Sequence, residues 1–194
     1  MTTVTSRDDK ERFQALAIEQ LPRLYSIARR LVGDDAEDAV QESLLRAFQK
    51  FYQLEDQSAA RAWLVSILVN VCRDRQRSRA RRPDQVSIEE VEEFSLYREI
   101  ADFDPFPYSD SLHLDFLHQF TSEDLHKVLS LLPEIYKVPL VLVHVHGFAT
   151  KEVGKILDVP VGTVLARLHR GRKRFEKEMW DYAVEGGMLK EVAQ

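Results

Sequence analysis

At 194 residues and 44% apolar content, the chain is long enough for one ordinary domain or two small ones and can bury a core. Its longest apolar runs, such as Val138 to Val143, are far too short to cross a bilayer, and MTTVTSRDDKERF lacks the apolar centre of a signal peptide, so a cytoplasmic protein without membrane insertion is expected. A single cysteine excludes an internal disulfide and argues against a thiolate metal site, and the net charge of -5 would disfavour nucleic acid only if the charge were evenly spread.

In chain order, apolar residues at three-and-four spacing (Phe13, Ala17, Leu21, Leu24, Ile27, Ala28, Leu31) predict an amphipathic helix from Glu11 to Val32, closed by Gly33, after a frayed stretch over residues 1 to 10. Asp34 and Asp35 offer caps for a second helix to about Tyr52, with Val40, Leu44, Ala47, Phe48 and Phe51 turned inward. Ser58 is a candidate cap for a third, running from Arg61 to about Arg82 and stopped by Pro83, with Cys72 as a small buried residue. From Pro83 to about Thr121 the periodicity fails. There "DFDPFPYSD" reads as extended chain, and Phe94, Tyr97, Phe103, Phe106, Tyr108 and Phe116 suggest a spacer that docks on something. A short helix follows from Ser122, then one opened by Pro133 and kinked at Pro139, ending near Gly147. Thr150 caps "KEVGKILD", a "DVP" turn follows, and a longer basic helix starts at Val161. A short helix, a tight turn and a basic helix make a helix-turn-helix, and without strand-like alternation the fold class is all-α: two small helical domains joined by an acidic linker.

The charges are segregated along this frame. Arg61 to Arg82 carries seven arginines against one acid, Pro160 to Lys177 six Lys or Arg against one acid, and Pro83 to Asp124 twelve acids against Arg98 alone. Either basic block alone could be a solvated helix face, but two blocks, each ending a periodic helix, point to nucleic acid. On the second helix Asp38, Gln41, Glu42 and Leu45 share a side away from the core stripe, which is either a solvated exterior or a docking face anchored by Leu45. No nucleophile elbow, P-loop or paired-carboxylate motif is present. His144 and His146 point to different sides, and His113, His118 and His126 lack companion ligands, so no catalytic residue, metal or cofactor is assigned.

Three stretches carry a resemblance. "GDDAEDAVQESLLRAF" resembles the core-polymerase-binding motif of the bacterial extracytoplasmic-function sigma factors, "ARAWLVSILVNVCRDRQRSRARRP" is similar to their promoter-melting segment, and "LPEIYKVPLVLVHVHGFATKEVGKILDVPVGTVLARLHRGRKRF" to their C-terminal domain. The resemblance implies a flexible N-terminus (1–10), a domain for core binding and minus-ten recognition (11–83), an acidic linker (84–121), a minus-thirty-five-reading helix-turn-helix domain (122–180) and a tail (181–194). Asp38, Gln41, Glu42 and Leu45 would meet the β′ clamp helices of core RNA polymerase, with the β flap as a further contact. The loop from Leu54 to Arg61 and Asn70 would hold a flipped base of minus-ten DNA, and of Arg73, Arg75, Arg77, Arg79, Arg81 and Arg82, which spread around the helix, a subset including Arg73 and Arg77 would face phosphates. Apart from the resemblance, Asn70 reads better as a polar residue on a helix surface, and Trp63 is better placed in the core than as a stacking platform. Toward the minus-thirty-five element, Gly162 and Thr163 would take a phosphate, Arg167 and Arg170 would reach base edges, and Lys173 would follow the backbone, while His169 is either a polar contact or solvated. Leu165 and Ala166 replace a common basic-serine pair, which tilts recognition toward thymine methyl groups and DNA shape. Asp158 stands where the family often has glycine in the turn. An anti-sigma factor is the implied regulator; a stand-alone helix-turn-helix regulator is the alternative reading.

Overall fold

The computed structural model describes residues 7–54, 56–80 and 120–186, and every regular element among them is helical. The helices are α1 (Arg7–Val32), α2 (Ala36–Lys50), α3 (Ala60–Ala80), α4 (Ser122–Leu131), α5 (Glu134–Leu140), α6 (Thr150–Leu157) and α7 (Val161–Glu185), with a π-type turn over Val141–Val145. The six spacer aromatics, His113, His118, Arg81, Arg82 and the last eight residues lie outside the described residues.

The helices divide into two compact units, one built from the described residues of 1–84 together with 141–159, the other from those of 85–140 and 160–194. In the first unit α1, α2 and α3 pack on one another and α6 packs on α3. Leu24, Ile27 and Ala28 of α1, Ala39, Val40 and Ala47 of α2, and Leu64, Val65, Leu68 and Val69 of α3 are buried, and so is Cys72. Phe13 stacks obliquely on Phe48 and edge-on to Phe51, with ring centroids 5.3 Å apart in both pairs, and Phe51 contacts Trp63 at 6.4 Å. Trp63 is therefore a half-buried packing residue, in line with the core reading of its apolar surroundings.

Several local expectations shift by a residue or a turn. α1 already includes residues 7–10, and Gly33 ends it in the left-handed region at φ 62°, as its position after the last periodic residue implies. Leu21, expected in the core, is exposed, while Gln20 is buried in its place; its amide spends its polarity locally, giving a hydrogen bond to Glu19 and taking one from Arg23, both at 2.9 Å. Ser58 does not cap α3. It lies in a 3-10 turn over Gln57–Ala59, and Asp56 caps that turn by accepting from the Ser58 N–H and hydroxyl, both at 2.8 Å. Thr150 is already inside α6: Ala149 holds the cap position, and the Glu152 carboxylate accepts its N–H at 2.8 Å. Pro139 stands in the last turn of α5, and the backbone after it widens, with the Phe148 N–H reaching back to the Leu142 carbonyl at 3.0 Å.

The second unit is organised along α7. Its C-terminal half packs Phe175, Met179 and Ala183 against Phe120 and Val128 beside α4. Its middle approaches α5 closely at Gly171, where an added Cβ would stand 3.0 Å from Tyr136 Cβ and 3.1 Å from Leu140 Cδ1. At the start of α4, Thr121 and Asp124 form a reciprocal cap: the Asp124 N–H donates to the Thr121 hydroxyl oxygen at 3.2 Å, and the Asp124 carboxylate accepts from the Thr121 N–H at 2.9 Å. Asp124 also accepts from the Thr121 hydroxyl and from the Tyr182 hydroxyl, both at 2.6 Å. The Thr121 hydroxyl first, then Tyr182 and the Thr121 backbone, hold this carboxyl down to about 2.

Candidate polymerase and DNA interfaces

The inner side of α2 is made of Ala36, Ala39, Val40, Ser43 and Ala47, small residues that let α1 and α3 come close. This burial leaves Asp38, Gln41 and Leu45 outward and exposed, with Leu45 retaining 59% of its surface in the middle of the face. An exposed leucine beside an acid and an amide has the composition of a docking patch: an apolar anchor with polar groups around it. Glu42 belongs to the same face but is already engaged. It accepts from Arg75 of α3 at 2.8 and 3.2 Å and from Arg46 at 2.6 Å, while Arg46 also donates to Asp74 at 3.1 Å. Arg75 and Arg46 together pull the Glu42 carboxyl below the usual glutamate value, with the Arg75 hydrogen bond the largest cause. Asp38 lies 3.9 Å from Arg75 and remains 71% exposed.

Sequence spacing does not reveal this pairing. In the sequence Arg75 is one of six arginines offered as candidate phosphate contacts, and the thirty-three residues separating it from Glu42 hide the bond from any local pattern. The pairing divides the arginines of α3. Arg75 holds α2, while Arg73 and Arg77 are half-buried and exposed along the same helix. Asn70 is exposed on α3, ten residues beyond the Ala60 start of the helix, about 15 Å along its axis. The loop before α3 and Asn70 are thus separate positions on one rod rather than one compact pocket. Arg61, at the loop end, lays its guanidinium over the Phe148 ring at 4.0 Å, and its Nε–H has no acceptor among the described residues. The positive field around this end of the unit is visible at His146. Burial, then Arg30, Arg23 and Arg61, push its imidazole down to about 4.

The second candidate surface is the N-terminal half of α7. Asp158 adopts the left-handed conformation at φ 55° and ψ 49°, so the turn before α7 uses an aspartate where glycine would be the default. The Val159 N–H closes on the Gly154 carbonyl at 3.0 Å, and Pro160 holds the cap position of the new helix, its carbonyl accepting from the Val164 N–H at 3.2 Å. Val164 and Leu168 are buried, as their spacing implies. Gly162 and Lys173 are exposed, and Thr163, Leu165, Arg167, His169 and Arg170 are half-buried. Burial lowers the His169 pKa first, followed by the charges of Lys173, Arg172 and Arg170.

Ala166 departs from the expectation. Only 8% of its surface is accessible, which withdraws its methyl group from the thymine contact assigned to it. Leu165 alone retains the apolar contact position. Among the described residues no group of three or more His, Cys, Asp or Glu could hold a metal ion, and no helix is long and apolar enough to cross a membrane.

Known proteins resemble this chain in sequence and fold. The profile of Sigma-70 region 2 matches residues 17–82, and that of Sigma-70, region 4 matches residues 122–175. The chain is 28% identical over 180 residues to the ECF RNA polymerase sigma factor SigW of Bacillus subtilis, covering 90% of this chain and 92% of that protein. It is also 28% identical over 174 residues to an ECF RNA polymerase sigma-E factor of Haemophilus influenzae, covering 88% and 89%. Among solved structures, the sigma factor RpoE in complex with the anti-sigma factor NepR from Bartonella quintana shares the fold, with a TM-score of 0.61 at 24% identity over 90% of this chain and 98% of that one.

Proposed function

The chain belongs to the extracytoplasmic-function type of the sigma-70 family of RNA polymerase sigma factors, and from that premise we propose how its two basic surfaces and its acidic face divide the work of transcription initiation. In this family core RNA polymerase carries out the chemistry, and the sigma chain supplies promoter specificity. Having a region 2 match as well as a region 4 match favours this over a stand-alone helix-turn-helix regulator.

In our reading Asp38, Gln41, Glu42 and Leu45 dock on the β′ clamp helices. The observation that carries it is the exposed Leu45 beside the 71% exposed Asp38, on a helix whose opposite side is wholly occupied by the core. An acidic rim suits a basic partner and speeds its encounter. Glu42 joins that contact by exchanging or sharing its arginines. Arg61, Asn70, Arg73 and Arg77 take the minus-ten strand, with Trp63 supporting the loop through Phe51 rather than stacking on a base. Gly162 and Thr163 receive a phosphate at the start of α7, while Leu165, Arg167, His169, Arg170 and Lys173 face the minus-thirty-five element. The functional division is then 11–83 for core and minus-ten, 84–121 as linker, and 122–180 for minus-thirty-five. An anti-sigma factor that covers the polymerase and DNA faces is the regulator this reading implies, and the complex of the Bartonella sigma factor with NepR offers a precedent for such a partner.

The test is reconstitution. The purified chain should compete for core RNA polymerase at low salt and, with core, initiate run-off transcripts at defined starts on genomic fragments. Failure to bind core at low salt overturns the proposal.

A further inference from the structure

Two groupings of the helix-turn-helix disagree in this chain. The Sigma-70, region 4 match over residues 122–175 takes in α6 and α7 together, whereas the compact units separate them and place α6 with α1, α2 and α3. A helix-turn-helix reads DNA as one piece, its first helix crossing the backbone while the second enters the groove. Here the first helix is already committed. It packs on α3, and its Val153, Ile156 and Leu157 are buried.

The same contact reaches the loop before α3. Phe148, just ahead of α6 and only 2% exposed, carries the Arg61 guanidinium on its ring at 4.0 Å. The Ser58 hydroxyl and N–H hold the Asp56 carboxyl below its usual value, and the charge of Lys155 in α6 adds to them. Asp56 and Arg61 both belong to the loop assigned to the flipped base, so α6 and the residue leading into it hold two members of that loop.

The fit is incomplete in a way that suits a temporary contact. Among the described residues, the buried side-chain atoms without a hydrogen-bond partner are Arg61 Nε and His146 Nε2. Both lie here: burial, then Arg30, Arg23 and Arg61, lower the His146 pKa, which puts His146 within the field of the same guanidinium. A buried donor without an acceptor costs free energy that a permanent core avoids. A phosphate oxygen supplies the acceptor that the Phe148 ring cannot, so DNA and Phe148 compete for Arg61.

We propose that the contact of α6 and Phe148 with α3 and its preceding loop is an autoinhibitory latch, which keeps the free chain from engaging promoter DNA until core RNA polymerase draws α6 away from α3. The proposal rests on the sigma-factor reading above and adds to it a device that couples the minus-ten loop to the helix-turn-helix.

The experiment uses the full chain, alone and with core RNA polymerase, on a promoter located by run-off mapping. A contact that keeps about nine chains in ten closed lowers apparent affinity about tenfold. Phe148→Leu keeps an apolar side chain but removes the ring beneath Arg61. Without core it should bind a duplex carrying the minus-thirty-five element several-fold more tightly than wild type, and with core no more tightly. For the reverse, Asp56→Cys/Lys155→Cys in a Cys72→Ala background is joined by a flexible bismaleimide that contains a cleavable disulfide. The joined chain should still compete for core but give few run-off transcripts, and reductant should restore them in the same sample. This arm carries the test if Phe148→Leu melts early by circular dichroism. Failure of the cysteines to join, or full transcription from the joined chain, overturns the latch and leaves the sigma reading standing. So does a folded Phe148→Leu whose duplex binding without core equals that of wild type. Transcription that reductant does not restore overturns it too, because the loss then lies with the substitutions and not with the link. A wild-type chain that does not bind core removes both.

Discussion

The bond between Glu42 and Arg75 lends itself to a quantitative test, because one carboxylate joins two helices and is also assigned to the polymerase face. Glu42 receives hydrogen bonds of 2.8 and 3.2 Å from Arg75, and the two side chains retain 33% and 29% of their surface. A charged hydrogen bond sheltered from water contributes about 1.5–3 kcal/mol, while an exposed ion pair contributes about 0.2–1 kcal/mol. At about one-third exposure the pair falls near the boundary, so a cycle of Glu42→Gln, Arg75→Gln and the double variant should give a coupling of about 1 kcal/mol by urea denaturation at pH 7. The cycle removes the separate contribution of Arg46, which is present in all four proteins. The Glu42 pKa is depressed in the folded chain. Its contribution is therefore complete above the ordinary glutamate value of about 4.3 and is lost as pH falls through the lower folded value. The coupling should shrink in that acid window and be flat from pH 6 to 8. A coupling under about 0.3 kcal/mol at pH 7, the usual additivity error, would refute the assignment of Arg75 to α2. Core binding separates the two roles of Glu42: Glu42→Gln should weaken it, whereas Arg75→Gln should not.

The other predictions concern the remaining surfaces. Asp38→Arg should reduce competition for core while leaving the urea midpoint unchanged, since the side chain is 71% exposed; undiminished competition would reject the docking face. Arg170→Ala should weaken minus-thirty-five binding by about 1–3 kcal/mol and relax preference at one base pair if it reads an edge, whereas a uniform loss across sequences would make it a phosphate contact. Leu165→Lys should change promoter preference in a run-off selection. Ala166→Ser should not, because Ala166 is buried, and a specificity change from serine there would contradict its burial. Gly171→Ala gains helix propensity but drives a Cβ to 3.0 Å from Tyr136 Cβ. Overpacking of about 1–3 kcal/mol less about 1 kcal/mol of propensity leaves a net loss near 1 kcal/mol, readable as a lower melting temperature.

Local signals account for much of this structure. The spacing of Leu24, Ile27, Ala28 and Leu31, the glycine after Val32 and the proline before Glu134 each act within a turn or two of chain, so α1, α2, α5 and α7 can be placed from them. The exposed face with Asp38, Gln41 and Leu45 is legible for the same reason: it is the complement of a periodic core. Caps are less so. Asp56 competes with Ser58, and Glu152 replaces Thr150 as the side chain that satisfies a backbone donor, because several neighbouring polar residues could do either job. What the sequence hides is proximity across long chain separations. Nothing near Glu42 names Arg75, nothing near Arg61 names Phe148, and nothing near Gly171 says that Tyr136 leaves no room for a side chain. Ala166 escapes a reading by periodicity because an exposed helix face does not guarantee that its shortest member reaches solvent.

The Asp124 carboxylate has a consequence beyond capping α4. It touches Thr121, three residues before it at the start of α4, and Tyr182, fifty-eight residues after it in the last turn of α7. Helix ends usually loosen independently and exchange their amide hydrogens first. Here the first turn of one helix and the last turns of another share a proton acceptor, so opening either exposes the same carboxylate. Their amides should exchange together, as one cooperative opening, so that the start of α4 and the end of α7 are lost in a single step rather than by fraying from each.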